Sequence, residues 1–204
     1  MSIYKQMMGE EFNRLHPMVQ KRYEFIEGRP FTGKGIMTNI KSGPKWMYPV
    51  FWLGTHWKLL FPENGKDVPF TIVNKPGTGQ NGETQVHWER IFYFKKEKRY
   101  FNALMSYDRK RNIIRDYLGE PYRLYSDLIF SAARDGTLII QSNKQRLVLG
   151  RLEIPLPAIL QGKARIEESF LDRKNAYHIH VEVTNPVIGT VFAYEGEFSS
   201  DDIS

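Results

Sequence analysis

The sequence predicts a mainly β protein, with a minor α component. It should be a strongly curved antiparallel sheet or β-barrel of roughly nine or ten strands, with helices at the N-terminus and one covering helix. Three observations carry this. From residue 68 onward, short runs rich in strand-forming residues alternate with turn signals such as "KKEK", "DRKR", "ARDG" and "TNP". The connections between these runs are shorter than the dozen or more residues a parallel crossover needs, so neighbours pair antiparallel. Ten such strands cannot lie flat, and the sheet must curl, close or split.

The elements follow in order. Residues 1–27 read as helical: Phe12, Leu15, Val19 and Ile26 recur near helical spacing with Met18 and Tyr23 beside them. Pro17 suits the first turn of a second short helix, and Gly28 ends the segment. Residues 29–43 read as a first strand in which Gly33 and Gly35 leave one face without bulk, permitting close approach by a helix or a sharp bend. Residues 46–60 read as the covering helix, with Trp46, Val50, Leu53, Trp57 and Leu60 in a stripe and Pro62 with Gly65 closing it. Residues 68–198 form the antiparallel meander, from "VPFTIVN" to "IGTVFAYEGEF". No repeat, low-complexity tract or linker divides the chain, so a single domain spanning 1–204 is expected.

Composition narrows the function. At 41% hydrophobic and 14% aromatic, the chain has the bulk to fill a core, which excludes a disordered protein. With no cysteine there is no disulfide, thiolate nucleophile or cysteine metal site. The first 16 residues hold no unbroken apolar run or small-residue cleavage pattern, so a cytoplasmic location is expected. The formal net charge of +6 is spread out, with "KKEKR" and "RKR" falling at turn positions. Without zinc-finger spacing, an RNP-type motif or a long basic stripe, nucleic acid is not an expected partner.

The central puzzle lies in "VHWERIFYF", residues 86–94. Strand alternation puts Val86, Trp88, Arg90, Phe92 and Phe94 on one face, so a guanidinium sits in the middle of an apolar row. An unpaired buried charge is costly, which leaves three explanations. Arg90 pairs internally with a carboxylate such as Glu168 or Asp127; or it reaches water at a rim, stacked on Trp88 or Phe92; or it serves an anionic group on a ligand. Later strands repeat the pattern of an apolar face dotted with hydroxyls: Tyr122, Leu124, Ser126, Leu128 and Phe130, then Ile188, Thr190, Phe192, Tyr194 and Phe198. A barrel slightly wider than its side chains fill can hold one small ligand. Arg90, Trp88, Phe92, Tyr194, Tyr122 and Ser126 are therefore the candidate ligand-binding residues. The expected architecture is similar in style to lipocalins and fatty-acid-binding proteins.

Trp-x-Arg-x-Phe at 88–92, "GRLEIPLP" at 150–157 and "PVIGTVFAYEGEF" at 186–198 resemble a bacterial family labelled domain of unknown function 4166. "HPMVQKRYEFIEGRPFTGKG" and "VPFTIV" fit it as well, in the same order, over nearly the whole chain. The resemblance implies that Trp88, Arg90, Phe92, Pro155, Pro157, Gly189, Tyr194 and Gly196 belong to a recurring pattern. It implies no activity and no catalytic residues. In that family the domain sometimes follows a reductase similar to saccharopine dehydrogenase, which suggests a partner oxidoreductase; no dinucleotide-binding glycine motif is present here.

Other chemistry is weakly signalled. His178, His180 and Glu182 share one strand face and form the best metal candidate, though an exposed polar face explains them more simply. "NKPGTGQNGET" lacks a Gly-Lys-Ser/Thr ending and reads as a hairpin loop; no Gly-x-Ser-x-Gly is present. Glu167 and Glu168 are adjacent and face opposite ways on a strand, so they cannot act as an acid–base pair. Segment 45–61, with three indoles and Lys41, Lys45 and Lys58, could touch a membrane surface or bury its rings over the barrel mouth. The expected function is thus non-catalytic binding of a small apolar ligand with a polar or anionic head, without a cofactor. The alternatives are an accessory module beside a partner oxidoreductase or membrane, and an enzyme with its site in the cavity.

Overall fold

A computed structural model describes residues 2–24 and 29–200. Ile26 and Gly28, read above as the end of the helical segment, lie outside the described residues. Ten strands close into an antiparallel barrel. They are β1 (Phe31–Ser42), β2 (Gly65–Thr78), β3 (Thr84–Tyr93), β5 (Ala103–Asp108), β6 (Ile113–Leu118), β7 (Leu124–Ala132), β8 (Leu138–Leu149), β10 (Lys163–Leu171), β11 (Ala176–Asn185) and β12 (Gly189–Ser200). Two short strands, β4 (Lys98–Tyr100) and β9 (Leu152–Pro155), pair outside the ring with β3 and β8. The predicted first strand is central to closure, since β1 lies between β2 and the last strand, β12.

Opposite its β7 edge, β8 serves two neighbours. Its first residues, Leu138–Gln141, pair with β10 and complete the ring, whereas Arg146–Leu149 pair with β9 in a projecting hairpin. Between these stretches the wall is joined by side chains. Ala164 N donates to Ser142 Oγ (2.7 Å), and the Gln145 amide exchanges two hydrogen bonds with the Gly162 backbone (2.7 and 2.9 Å).

Alternation decides what is inside. Val86, Trp88, Arg90 and Phe92 of β3 are buried while their neighbours are half-buried, as the pattern of "VHWERIFYF" predicts. The glycines of β1 admit another strand, not a helix. A Cβ on Gly35 would fall 2.0 Å from Glu197 O and 2.5 Å from Phe198 Cα, so β12 can approach only where that atom is missing.

One end of the barrel, the lower end here, is plugged by α1 (Ile3–Met8) and α2 (Pro17–Glu24), which lie in the segment read as helical, a role the sequence reading gives to 46–60. Tyr4, Phe12 and Tyr23 are fully buried, and Trp88 Nε1 donates to Tyr4 Oη at 2.7 Å. His16, between the helices, donates its backbone N–H to Gly136 O in the β7–β8 turn (3.0 Å).

The upper end departs from expectation. The helix predicted over 46–60 is a 3-10 turn at Lys45–Met47 followed by α3 (Tyr48–Thr55), only two turns long. The chain doubles back there: Trp57 N and Leu59 N both donate to Gly54 O, and Lys58 takes a left-handed φ of 49°. A side chain at 54 would meet Leu60 O at 2.9 Å, so Gly54 permits the reversal. The predicted stripe consequently does not bury itself. Trp46 is 67% exposed, Val50 61% and Leu53 45%, and the buried positions of α3 are Phe51 and Gly54. The cover is supplied by the irregular segment that follows, with Phe61 packed among Phe92, Phe94 and Phe192.

Candidate ligand-binding cavity

Between the plugged lower end and the segment 57–61, the barrel keeps a hollow of about 70 Å³, lined by side chains from eight of the ring strands and by Leu59 and Leu60. Its walls are mostly apolar, with Leu118, Leu128, Ile140 and Val181 among them. Six polar side chains break that lining: Arg90 on β3, Asp116 on β6, Ser126 on β7, Ser142 and Gln145 on β8 and Tyr194 on β12.

Arg90 is 5% exposed, so it does not reach water at a rim. Its Nε donates to Phe101 O at 2.7 Å and its Nη1 contacts Tyr194 Oη at 3.4 Å. The guanidinium carbon lies 3.9 Å from the Phe101 ring centroid and 5.9 Å from that of Trp88. The stacking partner is thus mainly Phe101, delivered by the loop after β4, with Trp88 further off; Phe92 is not involved. Neither carboxylate suggested from sequence is Arg90's partner. Glu168 lies at the lower end, where it pairs with Arg22 of α2. Asp127 turns outward at a bulge in β7 and pairs with Arg111, while Tyr125 Oη donates to it at 2.6 Å.

The charge that shares the hollow with Arg90 is Asp116, within its electrostatic reach. Burial pushes the Asp116 carboxyl up to about 7, against the opposing pull of Arg90. Its Oδ1 and the Oγ of Ser126 are buried without a hydrogen-bond partner. Sequence reasoning missed Asp116, although the signal that found Arg90 is present there too. In "NIIRDYL" alternation puts Asp116 between Ile114 and Leu118, an acid within an apolar row.

Of the other candidates, Trp88, Tyr194 and Ser126 line the hollow with Arg90. Phe92 is fully buried but packs behind it against Phe61, Phe70 and Tyr194. Tyr122 is not part of the site. β7 begins only at Leu124, so the alternation does not extend back to Tyr122, whose ring lies beside Tyr117. His178 and His180 lie on the outer face of β11 and both face Glu195, at 3.1 and 3.8 Å, whereas Glu182 accepts from Thr190 Oγ1. Among the described residues, no three such side chains are grouped to hold a metal.

The lid segment is held by a polar cluster. Lys58 Nζ and Asn102 Nδ2 donate to Glu120 at 2.5 and 2.9 Å, and His87 Nε2 lies 2.7 Å from the same carboxylate. Partial burial alone would raise the Glu120 pKa, but these donors outweigh it and lower it to about 2. Backbone bonds from Glu120 N to Trp57 O (2.6 Å) and from Asn102 N to Lys58 O (2.8 Å) complete the attachment.

The family described as "Domain of unknown function (DUF4166)" matches residues 15–198, which include every side chain of the hollow. The chain belongs to the DUF4166 family. It is also similar to the uncharacterized protein YndH of Bacillus subtilis (strain 168), with 40% identity over 201 residues and 98% of each chain covered. This DUF4166 barrel therefore has a full-length relative, and the family match supports the resemblance drawn from Trp88-x-Arg90-x-Phe92 and the C-terminal motif. Among the described residues, no helix is long and apolar enough to cross a membrane.

Proposed function

We propose that this DUF4166 protein binds a small amphipathic molecule, with its polar or anionic head at Arg90 and its apolar part among the leucine and valine side chains above. The observation that carries the reading is the unfinished polar cluster. Buried polar groups normally find partners, yet Asp116 Oδ1 and Ser126 Oγ have none, and both face the hollow beside a guanidinium. A head group with an anionic or acceptor atom for Arg90 and a donor for Ser126 or Asp116 would complete the set. At about 70 Å³ the hollow is well below the roughly 300–1,000 Å³ of pockets for drug-sized ligands, so the molecule is small, or Leu59 and Leu60 move outward to admit it.

Asp116 favours a second reading. A carboxyl held near neutrality inside a cavity is suited to proton transfer, and would serve an enzyme that moves a proton on a bound substrate. The binding reading comes first because Ser126 Oγ has no base bonded to it, so the cluster presents no activated nucleophile.

Native mass spectrometry of freshly purified protein tests the proposal. A population carrying added mass that is released on denaturation is expected, and Arg90→Met purified the same way should carry none. Titration with octanoate and with octanol then separates the head from the tail, octanoate alone losing affinity in Arg90→Met. Bare protein in every preparation, with no octanoate binding, would overturn the reading.

A further inference from the structure

The upper end carries an apolar ring that the ligand reading does not use. On the 3-10 turn Lys45–Met47 and α3, Trp46, Tyr48, Val50 and Trp52 are each more than half exposed. Phe51 roots this helix beside Gly43, where the backbone of Val191 in β12 approaches. The adjoining β11–β12 turn presents Val187, 70% exposed. From there Asn185 Nδ2 donates to Ile159 O and Gln161 O (2.8 and 2.9 Å), tying in the 3-10 turn Ala158–Leu160, whose Ile159 and Leu160 also face water.

The β8–β9 hairpin continues the ring. Leu147 pairs with Ile154 and Leu149 with Leu152, so all four share one face, and all are exposed. Leu147 also pairs across to Leu124, which lines the hollow. The hairpin therefore extends the barrel's inner apolar surface beyond its mouth. The turn at 120–123 closes the circuit, with Glu120 bonded to Trp57 and Arg123 O accepting from Val148 N.

The charges at this end lean cationic, with Asp67 and Glu182 as the acids that have no ion-pair partner among the described residues. Lys41, Lys45, Arg151 and Lys163 are exposed and, among the described residues, have no ion-pair partner. Glu63, Glu120 and Glu153 are each neutralised by Arg99, Lys58 and Arg146. Tryptophan and tyrosine prefer the bilayer interface, shallow aliphatic side chains enter the headgroup boundary, and lysines are drawn to anionic lipid.

We infer that the upper end of the barrel docks on an anionic lipid bilayer, with α3 and the β8–β9 hairpin as its insertion points. The docked face is continuous with the mouth of the hollow, so a molecule partitioned in the bilayer would meet the cavity without crossing water. The inference stands on the ring and its cations and does not require the hollow to be occupied.

Vesicle flotation of the full chain, with Trp emission followed in parallel, tests it. Vesicles of phosphatidylcholine with about one-third phosphatidylglycerol, at roughly 0.1 M salt, should bind the protein and shift its emission to the blue. Pure phosphatidylcholine should bind it at least about tenfold more weakly. The double variant Trp46→Ala/Trp52→Ala, at exposed sites that leave the fold intact, should lose about tenfold or more. Lys45→Glu/Lys163→Glu should lose at least as much, and Arg173→Glu at the opposite end should change little. No flotation with either composition would overturn the inference. So would an equal loss with Arg173→Glu, or a dimer abolished by the tryptophan changes in a protein that ignores vesicles. Ligand-free Arg90→Met that still floats would separate this inference from the proposed ligand.

Discussion

The barrel buries two arginines, and their surroundings differ. Arg22 of α2 is 2% exposed, in contact with the Glu168 carboxylate, which also accepts from Tyr23 Oη at 3.1 Å. Its guanidinium carbon lies 4.4 Å from the Phe31 ring centroid and 4.9 Å from that of Phe198, with three further rings around it. This site has a carboxylate in ion-pair contact, although none of the guanidinium nitrogens makes a directed hydrogen bond. Arg90 has a backbone carbonyl, a long contact to a tyrosine hydroxyl and one close ring, and the nearby acid is out of contact. The same residue type thus meets a carboxylate in the plug at one end of the lumen and none beside the hollow at the other.

The same substitution at both positions is the most direct attempt to break that contrast. Arg22→Met leaves the Glu168 carboxylate buried without its cation, a change that typically costs about 3–5 kcal/mol. Urea unfolding should show that loss, and Arg22→Met/Glu168→Leu should recover much of it. A loss below about 1 kcal/mol for the single variant would mean that Arg22 is not the structural member of the pair.

Asp116→Asn comes next in size. Because the folded pKa is raised to about 7 from an ordinary value near 4, the folded state holds a proton that the unfolded chain releases across that interval. Stability contributed by this group is therefore fully present below about pH 4, falls as pH rises toward 7, and is level above it. The slope reaches at most about 1.4 kcal/mol per pH unit. Asparagine cannot titrate, so the variant should match the wild type at pH 4 and exceed it by up to about 4 kcal/mol at pH 8. Parallel pH profiles of wild type and variant would show that Asp116 already has a partner, as Glu168 has in Arg22.

The sequence made the two arginines unequally visible. Arg90 stands in a clear alternating row, so its inward direction follows from β periodicity alone. Asp116 obeys the same rule in a shorter strand. Arg22 sits on a two-turn helix next to Lys21, where nothing local distinguishes a buried cation from an exposed one; only the packing of α2 against β10 decides it. Closure through β8 and β10 and the pairing of Glu168 are likewise long-range facts, and no spacing encodes them. The stripe at 46–60 misled because helical spacing identifies a face without saying what covers it. Gly54 and the left-handed Lys58 end the helix early and turn that face toward solvent. Tyr122 failed for a similar reason, since alternation holds only inside a strand and β7 starts two residues later.

The smallest expected effect is the sharpest. Arg90→Met removes a charge that no carboxylate touches, because the acid it faces is already held near neutrality by burial. Phe101 O loses its donor, which costs about 1 kcal/mol. Against this, methionine fits the same apolar walls and no longer desolvates a guanidinium. The two changes roughly cancel, so unfolding midpoints in urea should differ from wild type by less than about 1 kcal/mol. If Arg90→Met instead cost as much as Arg22→Met, Arg90 would be a structural cation like the other, and the hollow beside it a packing defect.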